Sequence, residues 1–168
     1  MTSTGTPYSI RRMKLEDVEQ VHQLDVISFS LPWPERSFRY ELTENPSSRM
    51  WVAESTGEPL TRVIGMLGLW LIVDEVHIGT LAVHPEFRRQ GIAQKLLITS
   101  LVDACREGAK KAYLEVRKGN LAAQELYTKF GFKITGIRPR YYSNNGEDAL
   151  MMTLDPMRKN DLEEFSLR

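Results

Sequence analysis

The spacing of apolar residues changes several times along the chain, and each change predicts an element. Tyr8-Ser9-Ile10-Arg11 alternates as a strand does. From Lys14 to Phe29, Leu15, Val18, Val21 and His22 are spaced for one face of a helix, which Leu31-Pro32-Trp33-Pro34 must break. Pro34 is placed to open a second helix that turns Phe38 and Leu42 inward and stops before Asn45-Pro46. Met50–Glu54 and Leu60–Leu71 then read as strands around the hairpin turn Ser55-Thr56-Gly57-Glu58-Pro59. Val76–Val83 is a further strand, in which Gly79 suggests a bulge. From Gln90 the period is helical, with Ile92, Leu96, Leu101, Ala104 and Cys105 on one face, until Gly108 ends the run. After the strand Lys111–Val116, Asn120 caps a helix with Ala123, Leu126, Tyr127 and Phe130 on its apolar face, closed by Gly131. Phe132–Ile137 and Ala149–Leu154 are the last strands. The order β-α-α-β-β-β-α-β-α-β-β implies an α/β or α+β fold, one central sheet with helices on both faces.

Composition narrows this picture. With 168 residues, 42% of them hydrophobic, the chain suits one domain, expected over 8–155 with flexible termini at 1–7 and 156–168. Lys+Arg and Asp+Glu are both 22, so the chain lacks the net charge that draws proteins to nucleic acid or anionic lipid, and neither is expected as a partner. The single cysteine, Cys105, excludes an intrachain disulfide framework and reads as a core residue; the first seven residues lack a signal peptide's apolar stretch. The apolar run Val63–Val73 is too short to span a bilayer, so the cytoplasm is the expected compartment. His22, His77 and His84 are too scattered to argue a metal site, and none is expected.

The strongest local signal follows the strand that ends at Val83: Arg88-Arg89-Gln90-Gly91-Ile92-Ala93 leads into a helix. A helix start has unpaired N–H groups and partial positive charge, while Gly91 and Ala93 allow a ligand close to the main chain. Arg88 and Arg89 add full charges. The pattern is a phosphate cradle, although solvated arginines beside a tight turn would look similar. It is neither a P-loop nor a dinucleotide fingerprint, because the glycines of those motifs are absent.

Arg88-x-x-Gly91-x-Ala93 after Leu81-Ala82-Val83 resembles the acetyl-CoA signature of the GNAT N-acetyltransferases. Leu114-Glu115-Val116-Arg117 with Asn120, and Leu126-Tyr127-x-x-Phe130-Gly131-Phe132, extend the resemblance to about Ser9–Leu154. Tyr141-Tyr142 followed by Glu147-Asp148-Ala149 is similar to the ribosomal-protein-alanine N-acetyltransferase branch. The resemblance implies a GNAT fold with a twisted, mixed and mostly antiparallel sheet of about seven strands. It also implies acetyl-CoA as cofactor, with its pyrophosphate on Arg88, Arg89, Gln90, Gly91, Ile92 and Ala93, its carbonyl polarised by backbone groups of Leu81, Ala82 and Val83, and further contacts from Asn120 and Tyr127. The pantetheine arm is expected between two splayed strands, those holding Val83 and Glu115.

By the same resemblance Glu115 is the general base, acting through water, and Tyr127 the general acid for the coenzyme A thiolate. From the residues alone, Glu115 could instead pair with Arg117 at the sheet surface, and Tyr127 could be a core aromatic. An α-amine, with a pKa of about 7.7–8.0, is far more often neutral at pH 7 than lysine at about 10.4, which favours a protein N-terminus as acceptor. Ribosomal-protein alanine is the acceptor that the resemblance implies. A small amine, a lysine, or a non-catalytic acyl-CoA-binding module are the alternatives. Leu31, Trp33, Tyr141 and Tyr142, with Glu115, are the candidate acceptor residues. Arg138 and Arg140 could face coenzyme phosphates, an acidic partner or solvent, and Glu147-Asp148 a cationic peptide or those two arginines. A monomer or weak dimer is expected.

Overall fold

The computed structural model describes residues 5–57 and 60–168. In chain order it contains β1 (Tyr8–Arg12), α1 (Val18–Ser28), α2 (Glu35–Thr43), β2 (Ser48–Ser55), β3 (Val63–Ile72), β4 (Glu75–Val83), α3 (Ile92–Arg106), β5 (Lys111–Arg117), α4 (Leu121–Lys129), β6 (Lys133–Arg138), β7 (Ala149–Leu154) and α5 (Lys159–Ser166). The strands form one seven-stranded mixed sheet in the order β1-β2-β3-β4-β5-β7-β6. β5 runs parallel to β4 and antiparallel to β7, and β1–β2 and β6–β7 are antiparallel pairs. Glu58 and Pro59 of the expected hairpin turn lie outside the described residues.

By contacts the chain divides into two compact units, one of residues up to Leu69 with Thr80–Ser100, the other of Trp70–Gly79 with Leu101–Arg168. In the first, Met13, Val18, Val21, Leu24, Phe38, Met50, Val52, Val63, Met66 and Ala82 form one buried cluster, against which Trp33 and Leu42 pack. Each fully buried side chain of this size contributes about 2 kcal/mol by leaving water. The expected first helix begins later than the apolar spacing suggested. Leu15–Asp17 is a 3-10 turn and Leu15 is exposed. The reason is a polar staple at this corner: Asp17 takes a bidentate pair from Arg11 (2.8 and 2.9 Å) and the Lys14 N–H (2.7 Å). Burial alone would raise the Asp17 carboxyl, but the Arg11 guanidinium and the Lys14 N–H outweigh it and hold Asp17 below its ordinary range.

In the second unit, β5 alternates cleanly: Ala112, Leu114 and Val116 are buried, while Lys111, Tyr113, Glu115 and Arg117 lie on the other face. Its ladder with β4 consists of Glu75↔Lys111, Val76↔Ala112 and His77↔Tyr113, whereas its ladder with β7 runs its length from Ala112 to Arg117. At Gly79, where a bulge is expected, a Cβ would lie 2.5 Å from the Trp70 ring, so the glycine makes room for an indole. In the β6–β7 ladder the register shifts between Ile134 and Gly136. The tail expected to be flexible at 156–168 carries α5, because Met157 and Leu162 are buried. Among the described residues, no helix is long and apolar enough to cross a membrane.

Candidate active site

The first unit supplies the anion turn. β4 ends at Val83, Pro85–Phe87 forms a 3-10 turn, and α3 begins at Ile92. Between them the backbone twice enters the left-handed region, at Arg89 (φ 64°) and Gly91 (φ 78°). Only glycine adopts this freely; Arg89 does so at a cost of about 1 kcal/mol. A turn of this kind at a helix start suits an anion, because successive N–H groups in it can converge. The main chain is also accessible here, since a Cβ on Gly91 would meet nothing within 4 Å. Arg88 is tied back by its Nε donating to the Val83 carbonyl (3.1 Å), and Gln90 accepts the Thr6 N–H through Oε1 (2.9 Å). Thus Arg88 braces the turn against the strand that carries Leu81, Ala82 and Val83. Ile92 is buried and Ala93 half-buried, which fixes the start of α3.

Leu31 and Trp33 also lie in this unit. Leu31 is exposed. Trp33 packs on Phe38 with ring centroids 5.3 Å apart, and its N–H donates to Asp25 Oδ2 (2.6 Å). Asp25 is almost wholly buried and carries no sequence signal of its role; burial raises its carboxyl above the usual range.

The second unit holds the other candidates. Asn120 caps α4 as expected, its Oδ1 accepting the Ala123 N–H (3.1 Å). At the far end, Gly131 (φ 93°) closes α4 with the Gly131 N–H on the Thr128 carbonyl (3.0 Å) and the Phe132 N–H on the Tyr127 carbonyl (3.1 Å). That closure anchors the backbone of Tyr127 itself. Its ring is buried, edge-on to Phe132 at 5.6 Å. Burial, helped by nearby Tyr142, raises the Tyr127 phenol well above its ordinary value, so it keeps its proton at neutral pH. Tyr142 is raised by its own burial, lowered by Arg117, and pushed up again by Tyr141, Glu115 and Glu147.

The pairing of charges departs from expectation. Glu115 Oε1 lies 3.5 Å from Arg138 Nε, not against Arg117. Arg117 pairs with Glu147 at 3.1 Å, and Glu147 also accepts the Gly119 N–H (2.8 Å). Asp148 Oδ1 accepts the main-chain N–H of Arg140 (3.0 Å) in place of a side-chain pair. Tyr141 is half-exposed and stands edge-on to Tyr142 at 5.1 Å. Cys105 is half-buried, with a thiol raised by that burial. Among the described residues, no group of three or more His, Cys, Asp or Glu side chains could hold a metal ion.

A left-handed turn at the start of one helix, followed along the chain by an exposed carboxylate on β5 and a buried phenol on α4, is compatible with an acyltransferase that takes its acyl group from a coenzyme thioester. Residues 18–132 match the Acetyltransferase (GNAT) family, more than half of the chain, and the chain belongs to that family. It is an acetyl-CoA-dependent N-acetyltransferase. Among its relatives is the provisionally named ribosomal protein bS18-alanine N-acetyltransferase of Bacillus subtilis, 41% identical over 88% of this chain and 95% of that one. Among solved structures, the ribosomal-protein-S18-alanine N-acetyltransferase of Escherichia coli superposes with a TM-score of 0.80 at 25% identity, covering 90% of this chain and 95% of that one. The NatC complex bound to Gag peptide and coenzyme A includes a chain with a TM-score of 0.79 at 25% identity, covering 90% of this chain and 99% of that one.

Proposed function

We propose that this enzyme acetylates the α-amine of a protein N-terminus, a ribosomal-protein alanine in particular, by direct transfer. Bound acetyl-CoA supplies a thioester-activated acetyl group. The Arg89–Ala93 amides, braced by Arg88, receive its pyrophosphate, and backbone groups at Leu81–Val83 polarise the carbonyl. Glu115 takes a proton from the acceptor ammonium through water, leaving the neutral amine that attacks. Tyr127 Oη gives its proton to the leaving sulfur, a role suited to a phenol that burial keeps protonated. Tyr141 and Tyr142 receive the acceptor peptide, and Asn120 adds a coenzyme contact to its capping role. The cytoplasm, where ribosomal proteins are made, is the compartment this reading requires.

The observation that carries the reading is an exposed carboxylate on β5, Glu115, followed by a buried phenol on α4, Tyr127, within one compact unit of the chain. The lower pKa of an α-amine favours it over lysine: removing a proton from about 7.7–8.0 asks less of a single carboxylate than removing one from about 10.4. The test is incubation with acetyl-CoA and three acceptors: a peptide with a free N-terminal alanine, the same peptide N-blocked but bearing lysine, and spermidine. Mass spectrometry should show acetyl on the free peptide alone, at its N-terminus. Acetylation of the blocked peptide on lysine, or of spermidine alone, would overturn the assignment.

A further inference from the structure

We infer that Arg117 is a positioning residue that holds the acceptor loop, residues 141–148, in its receiving conformation; the inference rests on the reading that this loop takes the peptide N-terminus. Arg117 follows Glu115 by two positions on the same face of β5. Its guanidinium carbon sits over the Tyr142 ring, 3.8 Å from the centroid. From there Nη1 reaches Glu147 Oε1 (3.1 Å) and Asn145 Oδ1 (3.3 Å), while Nη2 reaches Asn144 Oδ1 (3.2 Å). One side chain thus touches four residues of the loop, and a planar fork that also stacks on an aromatic face is a task lysine cannot perform.

The far side of the clamp is equally specific. Glu147 Oε2 accepts the Gly119 N–H at 2.8 Å, and a Cβ at Gly119 would lie 2.8 Å from that same oxygen. Gly119 is therefore the space through which the carboxylate reaches the main chain beside Asn120. The loop is closed within itself by the Tyr142 N–H on the Glu147 carbonyl (3.2 Å) and the Gly146 N–H on the Tyr142 carbonyl (2.8 Å). A consequence for specificity follows. The Glu147 carboxylate is engaged by Arg117 and the Gly119 N–H, so it holds the loop and does not read the charge of an incoming peptide.

The test separates acceptor binding from coenzyme binding and from folding. Steady-state kinetics would be measured for the wild type, Arg117→Gln, Arg117→Lys and Gly119→Ala, with KM determined for the peptide and for acetyl-CoA and thermal melting followed in parallel. Loss of one stacked, desolvated cation and its fork should raise the peptide KM about tenfold in Arg117→Gln while the acetyl-CoA KM moves less than about twofold. Arg117→Lys keeps the charge and should retain most of that defect. Gly119→Ala, which displaces Glu147 without touching any charge, should raise the peptide KM by about threefold, the worth of one hydrogen bond. A wild-type peptide KM in Arg117→Gln would overturn the proposal, as would equal losses for both substrates with a lowered melting temperature, the mark of a merely structural ion pair. If the wild type fails to distinguish free from blocked peptides, the reading of the loop falls, and the positioning role falls with it.

Discussion

At the Gly91 turn the chemistry lies in the backbone, whereas around Glu115 and Tyr127 it lies in side chains joined across as many as 30 residues, as Arg117 and Glu147 are. The turn needs two left-handed residues and a helix start, and Arg88 braces it. The acceptor side needs Arg117, Arg138, Glu147 and Asp148 each on a particular partner. A site made of main-chain amides tolerates changes of side chain and fails when the backbone cannot take its shape. A site made of paired side chains fails when one partner is lost.

The largest effects should fall on the side-chain half. Glu115→Gln and Tyr127→Phe should each lower kcat about a hundredfold or more, the scale of a lost general base or acid, with acetyl-CoA affinity within about twofold of the wild type by calorimetry. A Glu115→Gln enzyme with wild-type kcat would remove the base from the account. Next comes the one dense charge cluster of the first unit, which concerns stability alone. Asp17→Asn should cost about 2 kcal/mol in urea unfolding at pH 7, as loss of charge-assisted hydrogen bonds does. Because the Asp17 carboxyl is held below its ordinary value, its contribution is complete above about pH 4 and declines as pH falls further, so the difference between variant and wild type should shrink at pH 3.

A smaller effect tests the backbone half. In Gly91→Ala the new Cβ has open space, yet φ 78° strains it by about 1–2 kcal/mol, and the acetyl-CoA KM should rise about tenfold with kcat nearly unchanged. An unchanged acetyl-CoA KM would mean that the turn's shape does not matter to the coenzyme. The smallest is Asn120→Ala, where loss of the cap on α4 should lower stability by about 1 kcal/mol in the same urea assay.

The same contrast explains what could be read from the residues alone. Gly91, Gly108 and Gly131 announced their turns because a left-handed backbone all but requires glycine, and Asn120 announced its cap because its hydrogen bond is local. β7 was readable to the residue because it is an apolar run bounded by Glu147-Asp148 and Asp155-Pro156. The partners of Arg117, Glu115 and Glu147 were not, since tertiary approach chooses among several equally plausible ions. The Asp17 staple, which delays α1 to Val18, and Asp25, which holds Trp33, were hidden because each is a buried carboxylate whose donors lie three to eight residues away across a change of element, which apolar spacing does not mark. The space that Gly79 yields to the Trp70 indole of the preceding strand was not legible, since nothing in the sequence says which side chain meets a glycine.

The central claim is that main-chain amides of the Gly91 turn receive the coenzyme's pyrophosphate. Titrating coenzyme A into 15N-labelled enzyme and following the amide resonances tests it most directly. Large shifts should concentrate at Arg89, Gln90, Gly91, Ile92 and Ala93 and saturate together. Saturating binding that leaves those five amides unmoved would contradict the account.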